Sequence, residues 1–473
     1  VEKLIFDVRR QIAAEGVPQD AVDAALHQLE LSEREITGDG FPYGLRLLME
    51  ALTPAIHGGD PVAALDSDPL LEQLRAESRA ANFIPRLTRE LLLDNPHRVR
   101  LTMAPDPELG AKQAAAERER LAALRAALAE ADKTRLDAQA QALAERQQRQ
   151  DDPELLPRVG LEDVPTDLKI AEGVARPVGE LPAHWYAQGT NGMVYLQAVL
   201  DLPALEPDEL DLLPLFCACL TEVGSAGRDY RTTQARQAAV TGGINARANV
   251  RGGVDDITQV KGVLIIAGKA LARNHAELSD LLWETLTAAR FDELPRLREL
   301  VAQMRAQREE AITDHGHALA LAAASAGLSP VAALNHRWDG LHGLQALKAL
   351  DDTLDEDGVL RVFAERLERL RDRLRGLPRQ LLVVGEAERQ DAIAEALAAR
   401  WRGGSGSTIR PFALAAPDPQ PPRQGFRINT QVNFCAKAYP TVASNHPDAA
   451  ALQVLGDFLR NGYLHRAIRE QGG

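Results

Sequence analysis

Aromatic residues are scarce, at 4% of 473 positions. The core must therefore be built from Ala, Leu, Val and Ile, and the abundance of Ala, Leu and Arg favours helix. Only three cysteines occur, Cys217, Cys219 and Cys435. They are too few and too unevenly spaced for a disulfide framework. Cys217 and Cys219 lie in the apolar run LLPLFCACLTEVG, where buried, inert thiols are expected. No apolar run approaches the ~20 residues that span a bilayer, so no membrane partner is expected. The N-terminal VEKLIFDVRRQIAAEG is an amphipathic helix rather than a signal peptide, and a cytoplasmic setting is expected. Basic charge is in deficit, since 54 Lys and Arg face 68 Asp and Glu for a net −14. That sign argues against a nucleic-acid partner, whose phosphates need cations. An acidic surface can still attract basic peptides over distance.

Catalytic signatures are also missing. None of the eleven histidines falls in H-E-x-x-H or H-x-x-E-H. His315 and His317 diverge by about 200° on a helix and would not share a metal. His336 and His342 lack Cys or carboxylate partners at ligand spacing. GVLIIAGKAL imitates a phosphate loop, but it has one residue too many between Gly262 and Gly268, and Ala270 stands where Ser or Thr should hold magnesium. There is no G-x-S-x-G nucleophile elbow. A chain this long without a complete active site fits part of a larger enzyme or a binding subunit.

What is present is organised. Residues 1–95 read as successive helices, with Pro18 opening the second and Ser67 and Asp68 the fourth. HRVRLTMAP, 97–105, alternates polar and apolar residues like a strand. Residues 108–150 are dense in Ala, Glu, Arg and Gln, as expected for a helical hairpin turning near EADKTRLD, or for a solvated coiled coil. Residues 166–375 read as strands and helices in the order ββααββαα, an α+β pattern with helices on one face of a largely antiparallel sheet. Beyond lie a strand QLLVVGEA, a helix, a Gly/Ser/Pro-rich loop over 402–425, a strand FRINTQVNFCAKAYP and a final helix pair.

Two short repeats share one order. SEREIT at 32–37 matches REEAIT at 308–313, and DPVAAL at 60–65 matches SPVAAL at 329–334. The two offsets are nearly equal, the second being slightly shorter, as when one copy has lost part of a loop. A duplicated domain is the expected origin.

The REEAIT helix unit, the Ala/Glu/Arg hairpin and the terminal YLHRAIREQGG together resemble the pitrilysin/insulysin-type zinc metallopeptidases, closest to their presequence protease branch with its peptidase-associated middle region. The resemblance covers essentially the whole chain. It implies repeated α+β domains in two halves, joined by a helical hairpin and closing like a clamshell around a chamber. On that basis residues 1–95 are the end of a second peptidase-like domain, 96–160 the linker, 161–376 the third domain and 377–473 the start of a truncated fourth. Both ends then look cut, as in a fragment.

The resemblance also implies a zinc ion held by an H-x-x-E-H motif in the parent enzyme, with no metal ligand and no catalytic residue in this chain. Its partners would be unfolded peptide substrates and the N-terminal catalytic half of the same protein. The family's R-x-x-G-G-A-Y motif is matched by Arg469, Gly472 and Gly473, without the Ala and Tyr. The resemblance makes these three substrate-binding, with the guanidinium taking a peptide carbonyl. Read without it, Arg469 is a solvated charge at a helix end. The implied function is the non-zinc-binding portion of a zinc metalloendopeptidase. The alternative is a non-catalytic binding or structural subunit that lacks the zinc motif.

Overall fold

A computed structural model describes residues 2–36, 40–148, 153–155, 157–158, 160–402, 410–417, 424–428 and 432–470. In chain order the first helices are α1 (Glu2–Glu15), α2 (Gln19–Arg34), α3 (Tyr43–Ile56), α4 (Asp68–Ser78), α5 (Phe83–Leu87), α6 (Leu109–Ala127) and α7 (Glu130–Gln148). Three strands follow, β1 (Val174–Ala175), β2 (Ala183–Ala187) and β3 (Met193–Asp201), then α8 (Pro207–Leu220) and α9 (Tyr230–Val240). Next come β4 (Ile244–Gly252), β5 (Val260–Leu271), α10 (His275–Ala288), α11 (Leu294–Ser325), α12 (Pro330–Trp338), α13 (Leu341–Thr353) and α14 (Asp357–Leu374). The chain continues with β6 (Arg379–Gly385), α15 (Gln390–Arg400), α16 (Ala449–Asn461) and α17 (Tyr463–His465). The fold is α+β, as the residue pattern implies.

The chain forms two units, Val1–Arg9 with Leu87–Ala171, and Arg10–Arg86 with Glu172–Gly473. In the first, α6 and α7 are separated by Leu128 and Ala129 alone. EADKTRLD therefore starts α7 rather than making the turn. Neither helix has a buried residue among those described, so helix propensity and local pairs such as Lys112–Glu108 sustain them. The expected strand at 97–105 does not form. Residues 95–106 take no regular structure, because no neighbouring strand is there to pair with.

The second unit is built on a six-stranded sheet in the order β1-β2-β6-β3-β5-β4. All pairs are antiparallel except β2 with β6. Alternation drives it: in MVYLQAVLD, Leu196, Ala198 and Leu200 are buried, while Tyr195, Gln197 and Val199 are only half covered. The buried row packs with Leu213 and Phe216 of α8, Leu278, Leu281 and Leu282 of α10, and Leu397 and Trp401 at α15. The boundary expected at 376/377 cuts through this body. β6 lies between β2 and β3, so residues 379–385 complete the sheet that starts at 174. Sequence order could not reveal this, because the parallel β2–β6 pairing joins strands from opposite ends of the unit. Of the strand expected at FRINTQVNFCAKAYP, the described residues 426–428 and 432–440 take no sheet partner, and 429–431 lie outside the described residues.

The repeated motifs occupy related places. Ser329 Oγ accepts from Ala332 N at 3.1 Å to cap α12, and Asp60 Oδ1 accepts from Ala63 N at 3.3 Å at the start of a short helical turn. REEAIT lies inside α11, just before a break at His315 (φ −116°, ψ 17°). SEREIT runs off the end of α2, whose last residue is Arg34, and its Thr37 lies outside the described residues. The break in α11 thus corresponds to the gap between α2 and α3.

Residues 10–86 are tied to the sheet by ions. Glu30 of α2, its side chain 3% exposed, meets Arg34 at 3.0 Å, Arg75 of α4, and Arg273 just before α10. Arg273 leads, with Arg34 and Arg75, in holding the Glu30 carboxyl down at about 2.

Candidate functional site

The helices named above cover one face of the sheet. The other face is covered at one end by Leu31 of α2, which is buried with Met193 and Leu271 against Tyr195, and register places the remaining side chains of that face in rows. Tyr186, Val384, Tyr195 and Lys269 lie side by side across four strands. Below them run His184, Leu382, Gln197, Ala267 and Asn245, then Gln380, Val199, Ile265 and Arg247. Aliphatic side chains make the middle of this surface, and polar ones its rim.

Among the described residues β4 is an outer strand of the sheet, paired with β5 alone, and α8 packs against it. Its alternate residues Asn245, Arg247, Asn249 and Arg251 project to the open face. Arg247 donates to Asn245 Oδ1 at 3.0 Å and Arg251 to Asn249 Oδ1 at 3.1 Å. Asn249, Arg251, Lys261, Val263 and Ile265 line a hollow of about 280 Å³. At the opposite end, Lys269 is paired with Glu35. Burial, followed by the Glu35 charge, raises the pKa of Tyr195, keeping its phenol a hydrogen-bond donor. An open edge strand beside a mixed apolar and cationic face can take an extended peptide as an added strand.

The residues expected to bind substrate lie elsewhere in the chain. Arg469 falls in the π-helical segment Arg466–Glu470 after α17. Gly472 and Gly473 lie outside the described residues. Alternation within β4 was a signal for the open sheet face, but the place of β6 between β2 and β3 could not be read from the order of the strands.

Zinc finds no ligand set here. Among the described residues no three His, Cys, Asp or Glu converge. The rings of His336 and His342 lie 6.3 Å apart. Burial and then the His342 charge lower the pKa of His336, whose Nδ1 is buried without a partner. The described residues do not fit the ion. Cys217 and Cys219 are buried as expected, and burial pushes both thiols up to about 12.

The described residues thus form an α+β body built on one mixed sheet, preceded in the chain by a solvated helical pair. A family model for the region associated with M16 peptidases of subfamily C matches residues 103–350, and the chain belongs to that family. It is 28% identical over 496 residues to presequence protease 1, chloroplastic/mitochondrial, of Arabidopsis thaliana, covering 100% of this chain and 44% of the relative. It is 25% identical over 495 residues to the mitochondrial presequence protease of Danio rerio, covering 100% and 48%. The mitochondrial presequence protease of Yarrowia lipolytica is 25% identical over 476 residues, with 100% and 48% covered. The chain spans about half the length of these curated relatives. A protease of known structure from Helicobacter pylori aligns with a TM-score of 0.32 at 12% identity, over 53% of this chain and 54% of that one. No described helix is long and apolar enough to cross a membrane.

Proposed function

We propose that this chain is the C-terminal, non-zinc-binding portion of a zinc metalloendopeptidase that degrades unfolded peptides in a closed chamber. In this reading the open sheet face is chamber wall, and the free edge of β4 holds an extended substrate. The observation that carries it is the sheet with helices over one face and only α2 at one end of the other, next to the outer strand β4. Supporting it, all of the chain matches presequence proteases across about half their length. Residues 1–95 belong to a second domain, 96–160 to the linker, and the third domain runs from 161 through β6 and α15 before the fourth begins.

Arg469 binds a substrate carbonyl near the reaction centre, and Gly472 and Gly473 allow the close turn beside it. Zinc belongs to the catalytic half, the main partner of this chain. A cytoplasmic setting goes with this reading, and cell fractionation tests it.

The central experiment mixes the chain with the zinc-bearing half and follows cleavage of a quenched fluorescent peptide. Cleavage should rise well above that of the zinc-bearing half alone, and no gain would refute the proposal. In the reconstituted enzyme Arg469→Ala should lower kcat/KM on the order of 10²-fold. An unchanged value would remove Arg469 from the substrate site.

A further inference from the structure

The segment 97–103 has the pattern of a strand and none of its bonds. Val99, Leu101 and Met103 are 91%, 80% and 86% exposed. Among the described residues the backbone from Val99 to Pro105 makes no hydrogen bond. Three large apolar side chains in a row facing water, on a backbone with free donors and acceptors, are costly unless something covers them.

The duplication identifies what is missing. The motif pairs at 32 and 308 and at 60 and 329 are joined by a third at a slightly longer offset, because HRVRLTM at 97–103 corresponds to RQLLVVG at 379–385. In each copy the strand-like segment follows the same run of helices. Under this match Val99 and Leu101 fall on Leu381 and Val383, which are buried, and Arg100 and Thr102 fall on Leu382 and Val384 of the open face. β6 lies between a parallel neighbour, β2, and an antiparallel one, β3. At the offset that carries 32 onto 308, Ile5 and Phe6 of α1 fall on Leu281 and Leu282 of α10, which are buried in the sheet's core cluster. Ile5 is exposed here, as are its neighbours Leu4 and Val8.

We propose that residues 97–103 are a β-strand awaiting its sheet, supplied by the part of the parent protein that this chain does not span. The strand inserts between a parallel and an antiparallel neighbour. Val99, Leu101 and Met103 form its buried row, and Leu4, Ile5 and Val8 pack on the same sheet. Arg98 over the Phe6 ring at 4.8 Å and the Arg100–Glu2 pair at 2.7 Å are surface contacts that yield on docking. This inference rests on the proposed function, because it takes the catalytic half as the occupant.

The test is hydrogen–deuterium exchange of the whole chain, alone and with the polypeptide encoded directly upstream in the same reading frame, expressed separately. Amides 99–103 should exchange freely alone and at least about 100-fold more slowly in the complex. Leu101→Asp should weaken association about 100-fold or more while leaving the Tm of the isolated chain unchanged, and Arg100→Ala should do neither. A complex that cleaves peptides while 99–103 stays unprotected overturns this inference and leaves the proposed function standing. Protection of 99–103 in a complex without peptidase activity supports the strand and refutes the function. Absence of any complex, or protection of 99–103 by self-association of the chain alone, overturns the inference.

Discussion

Replacing Glu30 by Gln removes a charge from the node that ties α2 to α4 and to Arg273. The side chain is buried, and its carboxyl is held at about 2 instead of 4.5. A shift of that size corresponds to about 3 kcal/mol of stabilisation at neutral pH, at ~1.4 kcal/mol per pH unit. Leaving three guanidiniums facing a neutral amide puts the loss at about 3–5 kcal/mol. The sign follows from the direction of the shift. Because the folded pKa lies below the unfolded one, the contribution is complete above pH 4.5 and disappears as pH falls toward 2. At pH 3 less than half of it should remain. Urea unfolding of both proteins at pH 7 and pH 3, with exchange protection read along α2, measures the gap. A gap of the same size at both pH values, or one below about 0.5 kcal/mol at pH 7, would refute the charge-based account.

Cys435 is exposed, whereas Cys217 and Cys219 are buried with raised pKa values. A thiol reagent at pH 8 should therefore titrate one cysteine per native chain and three in denaturant. Three fast-reacting thiols in the native chain would contradict that burial. Gly316 lies under the Phe434 ring, which leaves no room for a Cβ. Gly316→Ala should displace 432–436 from α11 and raise exchange there, and unchanged exchange would show that the ring can shift without cost. Ser329→Ala removes the cap of α12 and should cost about 1 kcal/mol in urea unfolding. A cost near zero would mean that another acceptor takes the Ala332 amide.

Local chemistry was legible wherever a residue's neighbours in sequence are also its neighbours in space. The helix at Gln19 opens after Pro18, and the apolar run in QLLVVG forms the strand expected of it. The burial of Cys217 and Cys219 followed from the apolar helix around them. In the paired motifs at 60 and 329, Ser329 is the N-cap of α12, whereas Asp60 accepts from Val62 N and Ala63 N just ahead of a short helical turn.

Strand pairing is a different kind of fact. HRVRLTM alternates polar and apolar residues yet stays in solvent, while the apolar run of RQLLVVG enters the middle of a sheet, because a strand needs partners that its own residues do not encode. The same holds for the cations around Glu30, where α2 meets Arg273, far along the chain, only after the sheet has formed. The residue pattern by itself determined which segments could be helix or strand and which faces were apolar. Tertiary structure alone decided which of those faces found cover, since burial and pairing depend on contacts between segments far apart in the chain.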